Sequence, residues 1–121
     1  MPDKTARTQR ENAAEQQLFH ALAEPTRRGI IELLANKGQL SATDISDNFE
    51  VSPPAISQHL KILREANFVS LEKRAQQHIY RINPEAMSGI EQWIQKMTKS
   101  WNDRFNILDE ILEKEKKKGS R

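Results

Sequence analysis

Ser41 and Ser52 each stand where a helix is expected to begin, and each has an apolar residue just before it and another four residues after it. Asp44 follows Ser41 three residues on, and Leu40 can pack on Ile45; Pro53 suits the first helical position after Ser52, and Val51 can pack on Ile56. Two caps with two hydrophobic staples so close together fix the approach angles of two successive helices. The stretch from Ser41 to Ala66 is therefore predicted to fold as a corner, a helix-turn-helix, rather than as one long helix.

The rest of the chain surrounds this corner with helices. Ala13, Ala14, Leu18, Phe19 and Leu22 recur at helical spacing and predict a first helix over about 9–23, after a polar stretch 1–8 expected to fray. Glu24 precedes a proline and so marks a break. Pro25 opens a second helix with Ile30, Ile31 and Leu34 on its buried face, and Gly38 is placed to stop it. After the corner, Asn67 occupies the place of a left-handed C-cap. Phe68–Lys73 and Gln77–Ile82 alternate apolar and polar residues, which predicts a hairpin with Arg74, Ala75 and Gln76 in its turn. From Asn83-Pro84 onward Met87, Ile90, Trp93, Ile94, Met97, Trp101, Phe105, Leu108, Ile111 and Leu112 keep helical steps, predicting a helix over about 84–116. Such a rod is about 50 Å long at 1.5 Å per residue, longer than a small domain is wide. The expectation is one domain over 9–113 in the order α-α-α-α-β-β-α, mainly helical with a small β-hairpin, and a charged, frayed tail over 114–121.

Composition narrows the function. The 121-residue chain has no cysteine, which removes disulfides, thiolate metal sites and thiol redox switches. No apolar run is long enough to span a membrane and the N-terminus has no signal-peptide core, so no membrane partner and a cytoplasmic location are expected. A formal net charge of +2 is undiagnostic by itself, but residues 51–82 hold five basic and two acidic side chains, whereas residues 1–50 hold six and eight. The positive excess falls on the corner helix and the hairpin. Phosphate contact would use such a patch, although an ordinary solvated face also fits.

Ile56, Leu60 and Leu63 form the inward stripe of the second corner helix. Pro54, Ala55, Ser57, Gln58 and Lys61 are left facing outward. Gln58 can bond bidentately to adenine, Lys61 can meet guanine or a phosphate, Ala55 offers a methyl to thymine, and Ser52 with the helix N-terminus can hold a phosphate. Lys73, Arg74, Gln76, Gln77 and His78 at the hairpin tip can touch a backbone or a minor groove. A polar hairpin alone is often only a soluble edge, but one placed directly after a recognition-type helix reads as the wing of a winged helix.

The segments Phe19–Leu34, with its Ala-Leu-Ala-Glu-Pro-Thr-Arg-Arg run, Val51–Ala66, and Tyr80–Ile82 resemble the ArsR/SmtB family of dimeric winged-helix repressors over about residues 15–112. The resemblance implies that Ser52, Pro54, Ala55, Ser57, Gln58 and His59 belong to the recognition region and that the hairpin is the wing. It also brings out departures. Family members commonly carry glycine at the corner turn, after the corner helix and at the wing tip, where this chain has Glu50, Asn67 and Ala75; the turns at Glu50 and Ala75 are expected to be reshaped. Metal-responsive relatives place a cysteine pair before the recognition helix or histidines on the last helix. Here the first position reads Leu40–Ile45, and His20, His59 and His78 lie in three different elements, so no metal and no other cofactor is expected. Asp103, Asp109, Glu110 and Glu113 read as a solvated acidic face.

Trp93, Trp101 and Phe105 on the last helix fit packing on their own domain, a subunit seam or a small-molecule pocket. A helix that outruns its domain leaves its apolar face uncovered unless a second copy meets it, so a homodimer through the first and last helices is expected. Its seam would comprise Leu18, Trp93, Met97, Trp101, Phe105 and Leu108. The sequence thus points to a DNA-binding transcriptional regulator, a homodimeric repressor on double-stranded DNA with an imperfect palindrome, unresponsive to metal. The rival is a winged-helix protein-interaction module without specific DNA binding. No nucleophile and base set, phosphate loop or metal cluster suggests an enzyme. An effector, whether an apolar ligand between the long helices or a partner protein, is left open.

Overall fold

The computed structural model describes residues 4–119, with side chains described for 9–117. Elements follow in the order α1 (Lys4–Leu22), α2 (Pro25–Lys37), β1 (Gln39–Ser41), α3 (Ala42–Asp47), α4 (Pro53–Glu65), β2 (Val69–Arg74), β3 (Gln77–Ile82) and α5 (Pro84–Gly119). Helix α1 begins at Lys4 rather than near Gln9, and α5 runs on to Gly119; the parts of the expected frayed ends at 1–3 and 120–121 lie outside the described residues. One domain was expected through residue 113. The chain instead forms two compact units, Met1–Gly89 and Ile90–Arg121. The physical reason is that every described side chain beyond Ile90 is exposed, so the far part of α5 has no core of its own.

The first unit holds the core. Ile30, Leu34, Ile45, Ile56, Leu60, Leu63, Phe68 and Val69 are its largest fully buried side chains, drawn from α2, the corner helices and the start of the hairpin. Both corner caps form as expected: Ser41 Oγ accepts from the Asp44 N–H at 3.1 Å, and Ser52 Oγ accepts from the Ala55 N–H at 3.3 Å. Between them Phe49 folds over Gly29 of α2, where an added Cβ would come within 2.9 Å of the ring. Glycine at 29 is therefore needed for close approach, and the turn at Glu50 avoids positive φ, in line with a reshaped corner.

Helix α4 ends in a Schellman motif. Asn67 takes φ 58°, its N–H donates to the Arg64 carbonyl at 3.0 Å, and the Phe68 N–H donates to the Leu63 carbonyl at 2.9 Å. The buried side chains of Phe68 and Leu63 occupy the positions that form the motif's usual apolar contact. Asn83 then ties the start of α5 to the same place, donating from its backbone to the Phe68 carbonyl and from Nδ2 to the Asn67 carbonyl at 2.8 Å.

The hairpin forms with a one-residue shift at its start and a shorter turn, because Arg74 pairs with Gln77 and leaves only Ala75 and Gln76 to connect the strands. It is also not alone. Strand β1 pairs antiparallel with β3, Leu40 opposite Tyr80, so the expected two-stranded hairpin is a three-stranded sheet in the order β1-β3-β2. Three residues are too few for an alternation to register in sequence, and the partner strand lies far along the chain. Ala75 departs from expectation as well. Its turn is not reshaped around it: Ala75 itself takes φ 53°, the left-handed region that a two-residue hairpin loop demands of its first residue. Replacing Ala75 with glycine is expected to stabilise the protein by about 1 kcal/mol, read as a rise of a few degrees in the melting temperature.

Within the second unit, α5 carries an unbroken apolar face. Ile94, Met97, Trp101, Phe105, Ile107, Leu108, Ile111 and Leu112 are all at least two-fifths exposed, and the rings of Trp101 and Phe105 stack obliquely at 5.9 Å. Ile107 had escaped the sequence pattern because it lies beside the stripe rather than on it. Among the described residues no helix is long and apolar enough to cross a membrane.

Candidate DNA-binding surface

Most of the face of α4 expected to point outward is exposed. Pro54, Ser57, Gln58 and Lys61 are exposed and follow one another at steps of three, one and three residues, so they share one side of the helix opposite Ile56, Leu60 and Leu63. Ser52 is exposed at the helix start, while Ala55 is half-buried at the edge of the face. Lys61 Nζ lies 4.0 Å from Glu65 one turn on, an exposed pair too weak to withdraw the lysine from a phosphate.

His59 does not share that face. It lies about 100° round the helix from Gln58 and only about 40° from the buried Leu63, on the flank that turns toward α2. Its side chain is only 18% exposed, with Nδ1 3.4 Å from Arg27 Nη1 and 3.8 Å from Glu24 Oε2. The resemblance implies His59 in the recognition region; the structure puts it off the exposed face of α4, beside Arg27 and Glu24 of the α2 start.

The residues that hold it were not singled out in the sequence as a site. Glu24 caps α2 by accepting from the Arg27 N–H at 3.0 Å. Burial pushes the Glu24 carboxyl up, but the Arg27 and Thr26 hydrogen bonds and the neighbouring His59 outweigh it and hold the group below its ordinary value. The Arg27 side chain is buried and reaches back to the end of α1, donating Nε–H to the Ala21 carbonyl at 2.8 Å and Nη2–H to the His20 carbonyl at 3.2 Å. Arg28 Nη1 donates to the next carbonyl, Leu22. The Pro-Thr-Arg-Arg run thus satisfies the orphan carbonyls at the end of α1 from the first turn of α2. A signal was available: two arginines just after a helix break can serve the preceding helix's C-terminus.

On the sheet, Lys73, Arg74, Gln76, Gln77 and His78 are all exposed at the hairpin tip. The pleat divides them: Lys73 lies opposite His78 on one side and Arg74 opposite Gln77 on the other. Gln76, Gln77 and His78 line a shallow cleft of about 220 Å³ with Ser41, Ala42 and Thr43, which brings the tip beside the start of α3. Arg74 Nη2 donates to Glu72 Oε2 at 3.0 Å and to Gln39 Oε1 at 3.4 Å. The Arg74 hydrogen bond and charge, with a smaller part from Arg81, hold the Glu72 carboxyl below its usual range. The hairpin and α4 therefore belong to one unit, whereas Leu18, expected at a subunit seam, is buried inside it. Leu18 is buried with Cδ1 3.5 Å from where a Gly89 Cβ would stand, on the side of the first helix where Ala21 is also buried. Trp93, Met97, Trp101, Phe105 and Leu108 remain exposed on α5.

Among the described residues no group of three histidine, cysteine or acidic side chains could hold a metal ion. Comparison with known proteins places the fold and the sequence together. Residues 24–70, from the α2 cap through the corner to the start of the wing, match the family described as bacterial regulatory protein, arsR family. The chain is 36% identical to the transcriptional repressor SdpR of Bacillus subtilis over 77 residues, 64% of this chain and 84% of that protein. It is 37% identical to the arsenical resistance operon repressor of Escherichia coli over 67% of this chain and 66% of that one. Among solved structures, HlyU from Vibrio cholerae is 32% identical with a TM-score of 0.56, covering 69% of this chain and 91% of its own. An ArsR-like transcriptional regulator from Rhodococcus shares the fold with a TM-score of 0.71 at 24% identity, over 83% and 93% of the two chains. The chain belongs to the arsR family of bacterial regulatory proteins, winged-helix transcriptional regulators and not enzymes.

Proposed function

We propose that the protein is a sequence-specific DNA-binding repressor of the cytoplasm that acts as a homodimer, placing two copies of α4 in successive major grooves of an imperfect palindrome. The observation that carries the reading is the exposed stripe Pro54, Ser57, Gln58 and Lys61, which offers hydrogen-bonding and cationic groups but no aliphatic or aromatic anchor of the kind a protein partner would bury. Occupancy of the operator would itself repress. Two-fold symmetry sets the half-sites about one helical turn apart, and several lysine and arginine contacts make affinity fall steeply with salt. The uncovered face of α5, Trp93 to Leu108, supports pairing with a second copy.

A mobility-shift titration against the DNA upstream of its own gene is the test. Operator binding well above that of a scrambled duplex at physiological salt is expected, and equal affinity for both overturns the reading. Gln58→Ala is expected to cost about 1–3 kcal/mol of base discrimination, measured as the ratio between operator and single-base variants. Arg74→Ala, by contrast, should weaken every duplex alike and reduce the salt dependence by about one phosphate contact.

A further inference from the structure

We infer that Arg27 is a positioning residue for DNA reading: its hydrogen bond to His59 fixes the rotation of α4 about its own axis and so decides where Gln58 and Lys61 point. The inference rests on the DNA-binding reading of α4 and extends it to a residue on another helix.

A buried guanidinium is expensive, and an apolar side chain of similar size would often serve stability as well or better. Arg27 lies 7% exposed, and its described side-chain hydrogen bonds go to two carbonyl oxygens at the end of α1 and to one ring nitrogen of α4. Capping α1 would need only the first two. The third bond crosses from α2 to the recognition helix, and it does so at the residue next to Gln58.

The core stripe of α4, Ile56, Leu60 and Leu63, is aliphatic and fully buried, and its packing is non-directional. The bond on the flank adds a directional constraint. Arginine can only donate, so this bond requires a neutral ring in which His59 Nδ1 accepts and the proton sits on Nε2; a protonated ring would face Glu24 instead. Glu24 Oε2, at 3.8 Å from the same nitrogen, is an acceptor and cannot replace Arg27 as partner of this tautomer. Arg27, through the hydrogen bonds it donates to the His20 and Ala21 carbonyls, thereby anchors α4 to the junction of α1 and α2.

The test combines nitrogen NMR of the histidine rings with DNA binding. Wild-type protein is expected to show His59 protonated on Nε2 alone; protonation on Nδ1 overturns the inference. His59→Leu removes the acceptor, whereas His59→Asn keeps an oxygen near the Nδ1 position. His59→Leu should lower the preference for operator over scrambled DNA by about tenfold with little change in scrambled binding, and His59→Asn should restore most of it. Arg27→Met should match His59→Leu and release the His59 tautomer. A wild-type preference in folded His59→Leu protein overturns the positioning role, and if Arg27→Met fails to fold, the two His59 variants decide alone. Should wild-type protein show no operator preference at all, the DNA reading fails instead. The α4 amide shifts of His59→Leu then judge the positioning role separately: shifts running the length of α4 support it, and shifts confined to residue 59's neighbours overturn it.

Discussion

Replacing Trp101 and Leu108 together with glutamate is expected to yield a folded monomer by sedimentation, with operator affinity reduced on the order of 10²–10⁴-fold. Both side chains are at least half exposed on α5, so the substitutions remove nothing from the core of the first unit. Their cost would fall on the surface between copies, where two buried carboxylates per chain meet an apolar seam without partners. Once the copies part, the second half-site must be bound by a separate molecule rather than one already held beside it. Binding of a single half-site should persist at high protein concentration, since α4 and the wing are untouched. Unchanged oligomeric state would show that α5 is not the seam.

Phe68→Ala is expected to destabilise the protein by about 3–5 kcal/mol in urea denaturation, a large part of the stability of a small domain. Phe68 is 1% exposed and sits where three devices meet. Its N–H closes the Schellman motif of α4, its carbonyl receives the Asn83 N–H at the start of α5, and its ring is buried in the core, as is Leu63. The backbone bonds survive the substitution, but the cavity left under the end of the recognition helix does not close by itself. A loss below about 1 kcal/mol would mean that the site collapses around the missing ring, and α4 would then be far more adaptable than its cap suggests.

Local chemistry was legible wherever one residue does one job within a few positions. Ser41 and Ser52 cap as expected, Asn67 takes the left-handed position, and Ile56, Leu60 and Leu63 of α4 are buried. Glu50 and Ala75 show the limit of that reasoning. Both stand where the resemblance leads glycine to be expected, yet one turn avoids positive φ and the other accepts it, because the corner has several residues over which to distribute the bend and the hairpin loop has two.

The sequence by itself determined the helices, their stops, the corner and the outward chemistry of α4, since capping, staples and periodicity act over a single turn of helix. Only the tertiary structure decided the third strand, the loss of Leu18 to its own core, and the withdrawal of His59 to Arg27. In each case the deciding partner lies far along the chain: Tyr80 for Leu40, the region of Gly89 for Leu18, and the first turn of α2 for His59. A periodic pattern says which side of an element is apolar. It does not say which element will arrive to cover that side, or which buried donor will claim a ring nitrogen on its flank.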